Sequence, residues 1–318
     1  MQQNLGTALA AAGREAGGNR LWPRKGLARR EAIEGYLFIL PWAIGFLVFR
    51  LGPMLYSFFL SLTRYRGTGN IEWVGLQNYI YMFTQDPRFR DSLRATSVYV
   101  LSYLPLSLII GFAIAMLMNQ KVRGILGFRT IYYLPSVTSG VAVAILWQFV
   151  FHKQFGILNA ILGVVGIQPI GWLVDPDYVM VAFVIMSLWG VGGSMIVYLS
   201  GLQSIPTELY EAASIDGANA IQRFFRITIP MMTPTIFFNL VTGLIGAFQI
   251  FSNAYIMTGG GPQYRTYFFG LNIYFTAFSS LRFGIASATA WVLFTLIIVL
   301  TIFIQTTSKR WVYYAGRG

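Results

Sequence analysis

The sequence predicts an all-α polytopic membrane protein with about six transmembrane helices, and three observations carry that prediction. Of its 318 residues, 56% are hydrophobic and only 11% charged, with a mean hydropathy of +0.60; a soluble domain holds roughly a quarter charged residues. Long uncharged stretches recur along the chain, each near the roughly 20 residues that a bilayer-spanning helix requires. Basic residues flank them: Arg14, Arg20, Arg24, Lys25, Arg29 and Arg30 crowd one end, and Lys309, Arg310 and Arg317 the other. A formal charge of +12 and a pI near 10 also suit nucleic-acid binding, but cations beside apolar spans are what cytoplasmic anchoring produces. Lipid is therefore the expected partner, and nucleic acid is not. Cysteine is absent, which removes disulfides and thiolate metal sites.

Residues 1–33, rich in Ala, Gly and Arg, are expected to form a basic cytoplasmic tail. "TALAAAG" resembles a signal-peptidase site, but the apolar region comes after it, near Tyr36, and is too long for a signal peptide. The tail is therefore expected to stay. The transmembrane domain is placed at 34–308, with spans at about 36–60, 96–119, 127–151, 178–202, 234–257 and 284–306 and a short cytoplasmic tail at 309–318. With the N-terminus inside, the cytoplasmic segments hold 14 of the 23 Lys and Arg residues, the outer segments eight, and Arg50 interrupts the first span. Its stem is expected to lie in lipid while the guanidinium reaches the outer interface. Between spans three and four, "FGILNAILGVVG" is apolar but too short to cross and is expected to be an interfacial helix on the outer surface.

What is missing narrows the function. None of the eleven acids falls inside spans two to six; ion-coupled carriers usually keep ionisable groups in the membrane, because such groups are costly there and are retained for function. His152, the single histidine, sits at a span end as a solvated interfacial residue. No HExxH, GxSxG or GxxxxGK[ST] pattern occurs. No metal site and no catalytic residue are expected, so energy for uphill transport must come from another chain.

Span five carries Asn239, Thr242, Gly246, Gln249 and Asn253, which on a regular helix fall within an arc of roughly 80°. Span four offers Ser187, Gly190, Ser194 and Tyr198 at three- and four-residue spacing. For span four, helix packing and a solute pathway stay equally open. For span five the pathway is favoured, because amides and a hydroxyl suit a neutral hydroxylated solute better than an ion. Asn239, Thr242, Gln249, Asn253 and Tyr198 are the candidate pathway residues, with Gln249 and Asn253 foremost.

One stretch resists a membrane assignment. "ELYEAASIDGANAIQRFFRITIPMMTP", from Glu208, holds Glu208, Glu211, Asp216, Arg223 and Arg226 between two spans. Pro206 suits a first helical position, and the two glutamates complement the helix dipole. Ala212 and Ala213 keep one face small enough for close approach, Gly217 lets the backbone turn, and Asp216 is placed to cap the next helix. That second short helix, with Ile221, Phe224 and Phe225 on one side, is expected to end at Pro230 and Pro234, where span five starts. The product is a two-helix docking knob at about 204–232.

Glu211-Ala212-Ala213, Asp216-Gly217-Ala218 and Ile227-Thr228-Ile229-Pro230 resemble the EAA loop of membrane subunits of bacterial ABC importers. "WVGLQNY" at 73–79, "TGGGP" at 258–262 and "RWVYY" at 310–314 are similar to carbohydrate-type permeases, in particular the first permease of maltose-like and glycerol-3-phosphate-like systems. The resemblance extends over about residues 34–315; Ile229 stands where the family often has leucine. It implies an importer-permease fold in the bacterial inner membrane, with both termini cytoplasmic. It also implies a second related permease, two ATP-binding subunits that carry ATP and Mg, and an extracytoplasmic solute-binding protein; this chain itself binds no cofactor. Glu211, Ala212, Ala213, Asp216, Gly217, Phe224 and Pro230 would form the ATPase contact. Trp73, Asn78, Gly260, Gly261 and Pro262 would meet the binding protein, and the solute would be a sugar or sugar-like molecule. The rival from another class is a stand-alone secondary carrier for a neutral hydroxylated solute, with a merely solvated loop.

Overall fold

The computed structural model describes residues 25–120 and 122–313. The expected basic tail up to residue 24 and the end of the chain from Tyr314 lie outside the described residues. The described chain is predominantly helical and divides into two compact units, with the boundary in sequence between Ser57 and Phe58.

The first unit contains helix α1 (Lys25–Phe46), a π-helical turn at Leu47–Leu51 and the start of α2 (Gly52–Ser61). Lys25, the first described residue, is already helical, well before the expected start of the first span, so the last part of the basic tail is helical. The π-turn has a covalent cause. Pro53 has no N–H, and its ring would collide with the carbonyl four residues back; the widened turn, in which the Gly52 N–H reaches the Leu47 carbonyl, relieves this. Arg50 lies in that turn and is exposed.

In the second unit a two-residue antiparallel ribbon, β1 (Thr63–Arg64) with β2 (Glu72–Trp73), precedes α3 (Gln77–Thr84). Helix α4 (Pro87–Met118) starts earlier than the span at 96–119 because Asp86 accepts the Arg88 N–H as N-cap and Pro87 occupies the first turn. The expected third span is not one straight helix. It is α5 (Ile125–Val137) and α6 (Gly140–Val150), bent by 101°. Hydropathy runs unbroken through the bend, but Pro135 and the Ser139-Gly140 pair interrupt the ladder. The fourth, α8 (Val179–Trp189) and α9 (Gly192–Gln203), bends by 48°. The expected interfacial helix between them is α7 (Ile157–Val164); its buried Asn159 ties it to the chain beyond, donating to the Ile170 carbonyl at 2.8 Å and accepting from the Trp172 indole at 3.0 Å.

After α9 come α10 (Thr207–Ile215), α11 (Ala220–Arg223), a second π-turn at Phe224–Thr228, α12 (Ile229–Phe248), α13 (Ser252–Met257), α14 (Phe269–Tyr274), a third π-turn at Phe275–Ser279 and α15 (Phe283–Ser308). Among the described residues four helical runs are long and apolar enough to cross a membrane, Arg29–Ser61, Pro87–Met118, Ala220–Met257 and Phe283–Ser308, and the number rises to six if each bent pair forms one span. Pairing is close where side chains are small. A Cβ on Gly192 would stand 2.0 Å from the Tyr132 carbonyl oxygen, and one on Gly111 2.6 Å from Ser194 Oγ. The second unit holds two apolar cores. The larger includes Phe151, Phe183, Phe268 and Phe269; the smaller gathers Ala115, Met118, Met195, Tyr198, Leu202 and Met232 around the root of α10–α12.

Candidate coupling element and translocation cavities

The stretch at 206–230 is a helix–turn–helix. Pro206 is the N-cap of α10 and not its first helical residue. The turn is a Schellman motif: the Ala218 N–H bonds the Ala213 carbonyl at 2.9 Å and the Gly217 N–H the Ser214 carbonyl at 3.2 Å, with Gly217 at φ +78°. Asp216 closes α10 and does not cap the next helix. That role belongs to Asn219, which forms a reciprocal capping box with Gln222, at 2.9 Å and 2.8 Å. The asparagine-x-x-glutamine spacing is the sequence signal for it.

The second short helix does not stop at the prolines either. It runs from Ala220 through Pro230 and Pro234 into α12, because the π-turn at Phe224–Thr228 absorbs the missing Pro230 N–H. Arg223 Nη1 donates to Ser214 Oγ at 2.9 Å, and the Tyr210 and Thr228 hydroxyls meet at 2.9 Å, so the two arms are braced at both ends. Glu208, Glu211, Ala212, Asp216 and Gly217 are exposed, as are Ile215, Ile221 and Phe225; Ala213 is half-buried. Phe224 turns inward to Phe112 of α4, with ring centroids 6.3 Å apart, and Phe112 lies edge-on to Tyr198 of α9 at 5.4 Å.

Two adjoining cavities lie among α4, α5, α6, α8, α9 and α12. One, about 370 Å³, is lined by Tyr99, Tyr103, Ser136, Ser187, Gly246 and Asn253 among others; the second, about 390 Å³, by Ser107, Ser194, Asn239 and Thr242. Tyr103, Gly190 and Gly243 belong to both, and no charged side chain lines either. The polar stripe expected on span five is divided by a break in the helix at Gln249–Phe251. Asn239 is buried and donates to the Thr235 carbonyl at 2.9 Å, and Thr242 bonds the Phe238 carbonyl at 2.8 Å, so both serve their own helix. Asn253 reaches the first cavity. Gln249 is exposed and lines neither, and Tyr198 is fully buried in the smaller core. The residues that sequence alone did not single out are Tyr99 and Tyr103, because neighbouring aromatics on a helix read as ordinary core.

Of the residues expected to face a binding protein, Trp73 is 61% exposed, while Asn78 is buried and its amide donates to the Ser61 and Thr63 carbonyls, each at 2.8 Å. Gly260 is buried at φ +94°, against Tyr267; Gly261 and Pro262 are half-buried. Asn78 and Gly260 therefore shape the loops from within. Among the described residues no cluster of His, Asp and Glu suits a metal ion.

The family model described as "Binding-protein-dependent transport system inner membrane component" matches residues 105–313. The chain is 43% identical over 293 residues to the probable ABC transporter permease protein YesP of Bacillus subtilis, covering 91% of this chain and 94% of that one. It is 36% identical to the lactose transport system permease protein LacF of Rhizobium radiobacter (90% and 97% covered). With the trehalose/maltose transport system permease protein MalF of Thermococcus litoralis the identity is 34% (87% and 94%). Among solved structures, a bacterial ABC transporter involved in import of the acidic polysaccharide alginate matches with a TM-score of 0.78 at 26% identity, covering 92% of this chain and 99% of that one. A bacterial alginate ABC transporter in complex with its alginate pentasaccharide-bound periplasmic protein matches at 0.79 and 26%, covering 92% and 98%. With its helical runs, its bent pairs and its helix–turn–helix between α9 and α12, the chain belongs to the binding-protein-dependent transport system inner membrane components, the multi-pass permease subunits of ABC transporters.

Proposed function

We propose that this permease imports a sugar or sugar-like neutral solute, driven by ATP hydrolysed on partner subunits that dock on the 206–230 element. One observation carries the proposal: the helices that wall two uncharged cavities, α4, α9 and α12, are those to which the element is fastened, through Phe224, Phe112 and Tyr198 and through the continuous run into α12. A shift of the element therefore reaches the cavity walls through packed rings and a continuous helix, as coupling between two states requires.

The exposed glutamates and apolar residues of the element suit a cleft with basic and apolar walls. Tyrosine faces, serine hydroxyls and an amide suit a hydroxylated ring, which stacks and hydrogen-bonds without needing a counter-charge. The names of the lactose and trehalose/maltose relatives support the same solute class. A second permease, two ATP-binding subunits holding ATP and Mg, and an extracytoplasmic binding protein that meets the exposed Trp73 loop complete the assembly, with both termini cytoplasmic.

The test is affinity purification of the chain from its native membrane, wild type against Glu211→Ala and Gly217→Pro, together with sugar uptake into vesicles. An ATPase that elutes with wild type and is lost with the variants, and uptake that requires ATP, are the expected results. Uptake without ATP and no co-eluting ATPase would instead identify a secondary carrier.

A further inference from the structure

The segment after α15 folds back onto α12. Backbone turns from the Arg310 N–H to the Thr307 carbonyl (3.1 Å) and from the Val312 N–H to the Ser308 carbonyl (2.8 Å) reverse it. Its Tyr313 N–H then donates to Thr233 Oγ1 at 2.9 Å, and the Trp311 ring meets Phe237 edge-on with centroids 6.2 Å apart. Thr233 and Phe237 are four residues apart and so share one face of α12.

Thr233 is a junction. Pro234 supplies no N–H, so the Pro230 carbonyl lacks its regular helical donor. The Thr233 hydroxyl takes that place, donating to the Pro230 carbonyl at 2.6 Å while its lone pair receives the Tyr313 N–H. Thr233 is only 9% exposed, so neither bond faces competition from bulk water. The junction lies just beyond the π-turn at Phe224–Thr228, whose altered ladder is a place where the run from α11 into α12 can bend.

We propose that Thr233 is a positioning residue for transport coupling. By holding the 311–313 segment against the root of α12, it joins α12 and α15, so that displacement of the helix–turn–helix moves both together and is not lost as bending at the π-turn. The inference rests on the reading of 206–230 as the ATPase-docking element. The contact is a fixed tether that stays closed through the cycle.

The experiment uses the complete importer, with its permease partner, ATPases and binding protein, in vesicles. It measures co-eluting ATPase and solute moved per ATP hydrolysed. Thr233→Val keeps the shape and removes both hydrogen bonds, and Thr233→Ser keeps the hydroxyl. Because the chain has no cysteine, a Phe237→Cys/Trp311→Cys pair can be closed with a short thiol cross-linker. Thr233→Val is expected to retain wild-type ATPase binding while solute moved per ATP falls roughly threefold or more, Thr233→Ser to restore the ratio, and the cross-linked pair to transport like wild type. Should Thr233→Val fail to reach the membrane, Trp311→Ala carries the same expectation. An unchanged ratio in Thr233→Val, or transport arrested by the cross-link, overturns the fixed tether. If no ATPase elutes with wild type, the docking reading itself fails, and that result is separate from either.

Discussion

The Tyr99 and Tyr103 rings lie parallel, with centroids 5.3 Å apart and planes 8° apart, and the Tyr99 hydroxyl donates to Ser187 Oγ across the helix interface at 2.8 Å. The bond pins the inner ring, and the inner ring supports Tyr103 where the two cavities meet. Tyr103→Ala is expected to slow sugar uptake roughly three- to tenfold with ATPase association intact, as measured by uptake in vesicles. Tyr99→Phe removes only the bond and is expected to cost about 1 kcal/mol of stability, read as a lowered Tm.

Asn239 and Asn253 carry the same chemistry in different surroundings. Asn239 borders the second cavity but is buried and donates its amide to the Thr235 carbonyl, whereas Asn253 stands half-buried in the wall of the first cavity. Asn253→Ala is expected to lower uptake while the protein melts as wild type. Asn239→Ala is expected to lower Tm, with a loss of about 1 kcal/mol. Paired melting and uptake curves separate the two.

At Gly217 the constraint is conformational, because φ is +78° and a Cβ would meet nothing within 4 Å. Alanine would therefore suffer only the left-handed backbone penalty, about 1–2 kcal/mol. Asparagine, which tolerates that region, should suffer less. Co-eluting ATPase is expected to fall in the order glycine, asparagine, alanine; equal recovery from all three would show that the turn does not govern docking.

Two other glycines reverse that logic. Gly192 has backbone atoms of Tyr132 and Tyr133 within 3 Å of a built Cβ, and backbone cannot rotate away, while Gly163 in α7 has open space. Gly192→Ala is expected to destabilise by roughly 1–3 kcal/mol or more, and Gly163→Ala to be neutral or stabilising by up to about 1 kcal/mol. Thermal melting in detergent measures both.

Sequence makes the apolar spans legible because hydropathy is a local sum, and the helix–turn–helix legible because charge, small residues and a turn glycine coincide at 208–217. It misreads what depends on backbone geometry. The 101° bend between α5 and α6 leaves no mark in hydropathy. Asp216 is an equally good cap by type, and only the placement of Asn219 opposite Gln222 decides between them. Helical projection puts Gln249 on a pathway face, but at the end of α12 it is exposed and lies outside both cavity walls. The importance of Tyr103 depends on what lies across from it, which no single helix records.

The π-turns before Pro53 and Pro230 each hold one more residue than a regular turn would. Every residue beyond such an insertion is rotated about the helix axis by roughly 100° relative to an uninterrupted α-helix. Phe224 faces α4 while Asn239 and Thr242, on the same continuous run, line the second cavity. That phase relation is a property of the proline and its inserted residue together. Deleting one residue from 224–228 alongside Pro230→Ala would restore a regular helix of nearly the same composition while turning the docking face away from the cavity face. An alignment that scored the deletion as a minor gap would overlook a change in which way the whole element points.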